Sequence, residues 1–166
     1  MFKYAANKGE LAMRLCSYID SNFVFTDLCP KDRQELLSQL AQRISTQLVH
    51  IDSQTLLNCL LEREKKSSTG LEYGIAVPHA MLPGIQQTIC SIARLDQPIE
   101  YETMDGSPVR LVFLLLSPPD SIATHIRILA RIARLCSIPD FPQRMLEAKD
   151  ARDLFDIIKA EDDRHV

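Results

Sequence analysis

Leu111-Val112-Phe113-Leu114-Leu115-Leu116 is apolar at every position. A run of strand length without polar alternation suits a strand covered on both faces, and it falls far short of the roughly 18 residues of a membrane span. A strand buried twice demands a layer of structure on each side. The flanks agree with a strand over Val109–Leu116, since Asp105-Gly106 is a turn signal before it and Ser117-Pro118-Pro119-Asp120 breaks it.

The remaining sequence supplies the layers. Leu36, Leu37, Leu40, Ala41, Ile44 and Leu48 recur at helical spacing and predict a helix over about 31–48. A second helix, capped by Ser53, carries Leu56, Leu57, Leu60 and Leu61 inward, with Arg63 and Glu64 in its last turn. Helices follow over about 121–136 and 150–160, the last offering Leu154, Ile157 and Ile158 to the core. Phe23–Thr26, Gly74–His79 and Ile89–Leu95 read as strands, the second ending at Pro78, and Pro139 and Pro142 punctuate a loop. Residues 1–20 hold a weaker helical pattern (Leu11, Leu15, Tyr18, Ile19), and 161–166 read as a charged tail. Strands mixed with helices predict a single α/β domain over about 21–160, a sheet with helices packed on both faces. A chain of 166 residues can bury roughly 70% of its unfolded surface and build such a core without metal or disulfide staples.

Composition removes several function classes. The formal charge of −3 gives no reason to expect a nucleic-acid or anionic-membrane partner. Met1-Phe2-Lys3-Tyr4 opens no signal peptide, and Cys16, Cys29, Cys59, Cys90 and Cys136 are scattered and odd in number. They predict reduced, mostly buried thiols and a cytoplasmic location. Gly-x-x-x-x-Gly-Lys-Ser/Thr, Gly-x-Gly-x-x-Gly and Gly-x-Ser-x-Gly are all missing, and no His-x-x-x-His or Cys-x-x-Cys offers ready metal ligands. No cofactor and no metal are expected.

Three residues stand out as chemistry. His79 follows Pro78 among Gly74, Ala76 and Ala80, small neighbours that let a bulky group approach the ring. It is a base, ligand or nucleophile, or else a strand-end histidine with no task. His125 lies in the first turn of its helix, in the direction of Ile122, Leu129, Ile132, Ala133 and Cys136, while Arg127, Arg131 and Arg134 project oppositely as a solvated face. It also follows the end of the Val109–Leu116 strand, where crevices form in open α/β sheets. The alternative is a core histidine bonded to a backbone carbonyl. Arg63 is either a helix C-terminal charge or a cation reaching an anion near His79. His50 and His165 receive no role. Two imidazoles and a guanidinium suit a phosphoryl group carried on nitrogen, one ring bonded and the other donating.

The segment Leu61-Glu62-Arg63-Glu64-Lys65, then Ser68-Thr69-Gly70, Leu71 and Gly74-Ile75-Ala76-Val77-Pro78-His79-Ala80, resembles the type-2 IIA domains of the bacterial phosphoenolpyruvate:sugar phosphotransferase system, the mannitol/fructose class. Val109–Pro118 followed by Thr124-His125 extends the likeness over about residues 20–160. The resemblance implies a mixed sheet with helices on both faces. It makes His79 the phosphoryl acceptor, served by the carrier HPr or a paralogue, His125 the hydrogen-bonding second histidine, and Arg63 the assisting charge. Glu72 departs from the Gly or Ala usual there. Pointing inward it would disfavour the phosphorylated state; pointing outward it would alter partner choice.

Gln97-Pro98-Ile99-Glu100-Tyr101, Asp105 and Pro108-Val109 are similar to the nitrogen-regulatory members in particular. With no fused IIB or membrane segment in the sequence, the expected role is a regulatory phosphohistidine protein that contacts target proteins. The alternatives are an intermediate of fructose/mannitol-type uptake that passes phosphate to a IIB domain, and a scaffold without chemistry. An apolar rim is expected around the site, where a partner must bring its own histidine.

Overall fold

The computed structural model describes residues 13–165. Five strands, β1 (Ile19–Leu28), β2 (Ile75–Ala76), β3 (His79–Met81), β4 (Ile89–Ile99) and β5 (Val109–Ser117), form one sheet in the order β1-β4-β5-β2, with β3 also on β5. β1 runs parallel to β4, β4 antiparallel to β5, and β2 and β3 both parallel to β5, so the sheet is mixed.

The doubly apolar run behaves as its composition requires. Val112, Leu114 and Leu116 point to one face, where they pack with Leu36, Leu40 and Ile44 of α1 (Arg33–Ser45) and Leu56 and Leu60 of α2 (Ser53–Lys66). Leu111, Phe113 and Leu115 point to the other, against Ile128 and Ile132 of α3 (Ile122–Cys136), Phe141 and Met145 of α4 (Phe141–Leu146), and Leu154 and Ile158 of α5 (Ala151–Arg164). Alternation along one strand thus feeds two separate cores.

Several boundaries differ from expectation for local reasons. Asp52, not Ser53, caps α2, its carboxylate accepting from the Thr55 amide at 3.0 Å. The strand expected across Gly74–His79 is broken into β2 and β3 around Val77-Pro78. The loop expected at Pro139 and Pro142 contains α4, where Pro142 occupies the first turn, a place that does not require its missing N–H. Of the residues behind the N-terminal helical pattern, Leu11 lies outside the described residues, Leu15–Tyr18 make a single 3₁₀ turn, and Ile19 opens β1. Cys90 and Cys136 are buried, Cys16 and Cys59 partly so, and Cys29 is exposed; none of the five is bridged.

Two charged segments were misjudged from sequence. Residues 161–164 are the last turn of α5 rather than a tail, and Arg131 is buried rather than solvated. One contact explains both: Arg131 Nη2 lies 2.7 Å from Oδ1 of the fully buried Asp162, and its Nη1 donates to the His165 carbonyl at 2.6 Å. Asp162 also accepts from the Cys16 amide at 3.0 Å. The buried stripe of α3 is rotated toward Ile128 and Leu135, which puts Arg131 at its margin and leaves Ile122 and Ala133 outside it. A wheel drawn on one helix cannot see a carboxylate arriving from another.

Candidate functional site

The break in the edge strand builds the first part of the site. Pro78 has no N–H to donate to a ladder, and the chain turns so that the Val77 carbonyl meets the ring of His79, 2.8 Å from Nδ1. A carbonyl only accepts, so Nδ1 carries the proton and Nε2 keeps a lone pair. Nε2 accepts from Arg63 Nε at 3.0 Å, which agrees with the same tautomer. By strand alternation His79 shares a face with Ile75 and Val77, the face covered by α3. Ala76 and Ala80, expected to leave room beside the ring, face the other way toward α1 and α2. Their small side chains let α2 lie close to this edge.

Arg63 comes from that helix. It sits in the last turn of α2, where a cation is favoured by the helix dipole, and its Nη1 donates to the Ser67 carbonyl at 2.9 Å. The guanidinium therefore spans from its own helix end to His79. The helix-end reading of Arg63 holds, and the same side chain also reaches the His79 ring.

His125 arrives from the opposite layer. It is buried in the first turn of α3, just beyond the C-terminal end of β5, and its ring centroid lies 5.4 Å from that of His79, tilted by 55°. Its Nδ1 is bonded not to a backbone carbonyl but to the Ser117 hydroxyl, at 2.7 Å. Burial pushes the His125 pKa down to about 4, with the neighbouring His79 and Arg63 adding to the effect. Burial also lowers that of His79; the Val77 bond opposes this, Arg63 adds to it and Glu64 opposes it. Near neutrality the site therefore presents two neutral imidazoles and one cation. Among the described residues no group of three or more His, Cys, Asp or Glu is placed to hold a metal ion.

Residues 17–161 match the family model described as "Phosphoenolpyruvate-dependent sugar phosphotransferase system, EIIA 2". The chain belongs to that family. It is 38% identical over 126 residues to a nitrogen regulatory protein of Bradyrhizobium diazoefficiens, covering 76% of this chain and 82% of that protein. Against a nitrogen regulatory protein of Pseudomonas aeruginosa it is 36% identical over the same shares. The crystal structure of nitrogen regulatory protein IIA-Ntr from Neisseria meningitidis superposes with a TM-score of 0.81 at 24% identity, covering 87% of this chain and 98% of that one. Mannitol IIA from Escherichia coli has the same fold, with a TM-score of 0.67 at 14% identity over 83% of this chain and 96% of that one.

Other residues of this EIIA 2 domain bear on the site although the sequence alone assigned them no role in it. Glu64, next to Arg63, is buried, and its carboxylate accepts from the Thr69 amide at 3.0 Å and the Thr69 hydroxyl at 2.8 Å. It pins the loop that carries Ser67, the anchor of Arg63. Its spacing from Leu56 and Leu60 (i, i+4, i+8) puts it on their buried stripe, a signal that helical periodicity carries. Ser117 and Thr88 stand behind His125; Ser117 falls in step with Leu111, Phe113 and Leu115, a signal that a strand register exposes and a motif does not. Glu72 is exposed, the outward alternative.

The helix that carries His125 also presents exposed apolar side chains. Ile122 and Ile126, one helical turn apart and each 59% exposed, lie in the same first turns of α3 as His125. No helix among the described residues is long and apolar enough to cross a membrane.

Proposed function

We propose that the protein carries a phosphoryl group on Nε2 of His79, taken from the phosphohistidine of HPr or a paralogue, and uses it to regulate contacts with target proteins. The observation that carries this reading is the pair of bonds on one ring: Val77 holds the Nδ1 proton while Arg63 rests on the Nε2 lone pair. In the transfer, the Nε2 electron pair forms the new P–N bond as the donor's P–N bond breaks and its imidazole leaves with that bond's electrons. The Nδ1 proton stays where it is, against the Val77 carbonyl. Such a transition state is loose and spreads charge over three oxygens, so alignment and electrostatic stabilisation carry most of the catalysis.

Arg63 caps Nε2 before the transfer and must swing aside for phosphorus to arrive, which leaves a cation beside the new oxygens. His125, neutral, supplies a neighbouring N–H donor without adding a second positive charge. Ile122 and Ile126 give a visiting protein an apolar footing beside the reacting ring, in keeping with the depletion of charge at the core of protein interfaces. The regulatory role is supported by the identity to nitrogen regulatory proteins. The phosphoryl group would act there by adding about −2 charge to a docking surface.

The test is incubation with phosphoenolpyruvate, the general relay enzyme and HPr, or their paralogues, followed by detection of acid-labile phosphate. Labelling of the wild-type protein and none of His79→Ala is expected; labelling that persists in His79→Ala overturns the assignment. Rapid discharge of the label to a fructose- or mannitol-type IIB domain would replace the regulatory role with uptake.

A further inference from the structure

The proposed transfer asks His125 for a neutral ring with a proton on the nitrogen that faces incoming oxygens. Histidine has two neutral tautomers, and which one forms is decided by what its other nitrogen meets. Here that nitrogen is Nδ1, and it meets a hydroxyl that can serve as donor or acceptor, so the answer depends on what the hydroxyl does with its own proton.

The sheet register resolves this. Ile89 pairs with Leu116 across the antiparallel β4–β5 ladder, so the residues one step further out, Thr88 and Ser117, face each other on the α3 side of the sheet. Thr88 Oγ1 donates to Ser117 Oγ at 3.1 Å, and both residues are buried. Ser117 Oγ thus accepts from Thr88, and among the described residues the one partner within reach of its own proton is His125 Nδ1 at 2.7 Å. The reverse arrangement, with Nδ1–H donating to Ser117, would leave the Ser117 O–H without an acceptor at a position that has no solvent exposure, and a buried unpaired donor is costly.

Resting on the carrier reading above, we infer that Thr88 and Ser117 are positioning residues: Thr88 orients the Ser117 hydroxyl, Ser117 donates to Nδ1, and His125 is held with its proton on Nε2. Neither residue touches the phosphoryl group. Together they turn an imidazole with two possible faces into a dedicated donor.

The deciding measurement is an imidazole ¹⁵N–¹H correlation spectrum of the labelled full chain near neutral pH. The wild-type protein should show His125 as a single tautomer with protonated Nε2 and unprotonated Nδ1. Ser117→Ala and the near-isosteric Thr88→Val should show a mixture of tautomers, and Thr88→Ser, which keeps the hydroxyl, should restore the single form. In phosphoryl transfer, Ser117→Ala should lower the maximal rate about tenfold, the worth of one hydrogen bond, with the apparent KM for the phosphorylated donor unchanged. If Ser117→Ala fails to fold, Thr88→Val and Thr88→Ser decide alone. A wild-type ring protonated on Nδ1, or Ser117→Ala and Thr88→Val spectra identical to wild type, would overturn the inference. A wild-type protein that takes up no phosphate defeats the carrier reading instead, and the spectra still decide whether these hydroxyls set the tautomer.

Discussion

Arg63 donates through Nε to Nε2 of His79 at 3.0 Å, so the nitrogen with the free electron pair is already covered by the cation that would stabilise its product. The same guanidinium is tethered through Nη1 to the Ser67 carbonyl, which limits how far it can withdraw. Arg63→Gln should therefore slow phosphoryl transfer by about 10²- to 10³-fold, the range found for loss of one preorganised electrostatic donor. Arg63→Lys should recover only part of this, because an ammonium lacks the planar fork that serves two acceptors at once. Single-turnover transfer from phosphorylated carrier would measure both; a rate for Arg63→Gln within threefold of wild type would remove Arg63 from the reaction.

Ile122 and Ile126 should matter to the partner and not to the fold. Each is largely exposed, so Ile126→Asp costs little core packing while placing a charge at the apolar footing. The expected outcome is a rise of about fivefold or more in the apparent KM for the carrier, typical of an interface residue worth over 1 kcal/mol, with an unchanged melting temperature. An unchanged KM would move the docking surface elsewhere.

Stability should fall on mild acidification. The folded-state pKa of His125 is about 4, below the ordinary histidine value of 6.5, so between these limits the unfolded chain binds more protons than the folded one. The contribution is complete above about pH 6.5, is lost progressively as pH drops toward about 4, and changes no further below that. Carboxylates titrate in part of the same window, so the informative quantity is the difference between wild type and His125→Asn in denaturant unfolding. That difference should move in favour of the variant as pH falls from 7 to 4; a pH-independent difference would contradict the depressed pKa.

The Arg131–Asp162 pair predicts a large effect far from the chemistry. Asp162→Ala strands a buried guanidinium, which should cost about 3–5 kcal/mol and lower the melting temperature by about 10 °C. The double variant Arg131→Met/Asp162→Leu should recover much of the loss, because it removes both charges together. Calorimetry of the single and double variants checks this, and additive losses would refute it.

What the sequence disclosed and what it withheld divide along a physical line. Leu111–Leu116 announced two covered faces because alternation within one strand is local information. His79, His125 and Arg63 were found from residue chemistry and resemblance, and they do stand together. Arg131 was misassigned because its partner Asp162 lies thirty-one residues away on another helix. Ser117 and Thr88 escaped notice because a cross-strand pair exists only once the register is known. Glu64 was legible in helical spacing, yet its work of pinning Thr69 needed the loop to be seen.

Arg63 hangs from the layer of α2 and His125 from that of α3, with the edge of the sheet between them. The sheet is thus a spacer whose thickness calibrates the gap between the guanidinium and the second imidazole, the gap in which the proposed phosphoryl group would be gripped. A swollen side chain under α2 and a shrunken one under α3 never meet, yet both would be registered as error in that gap. A change of volume in either core would therefore shift one side of the site relative to the other.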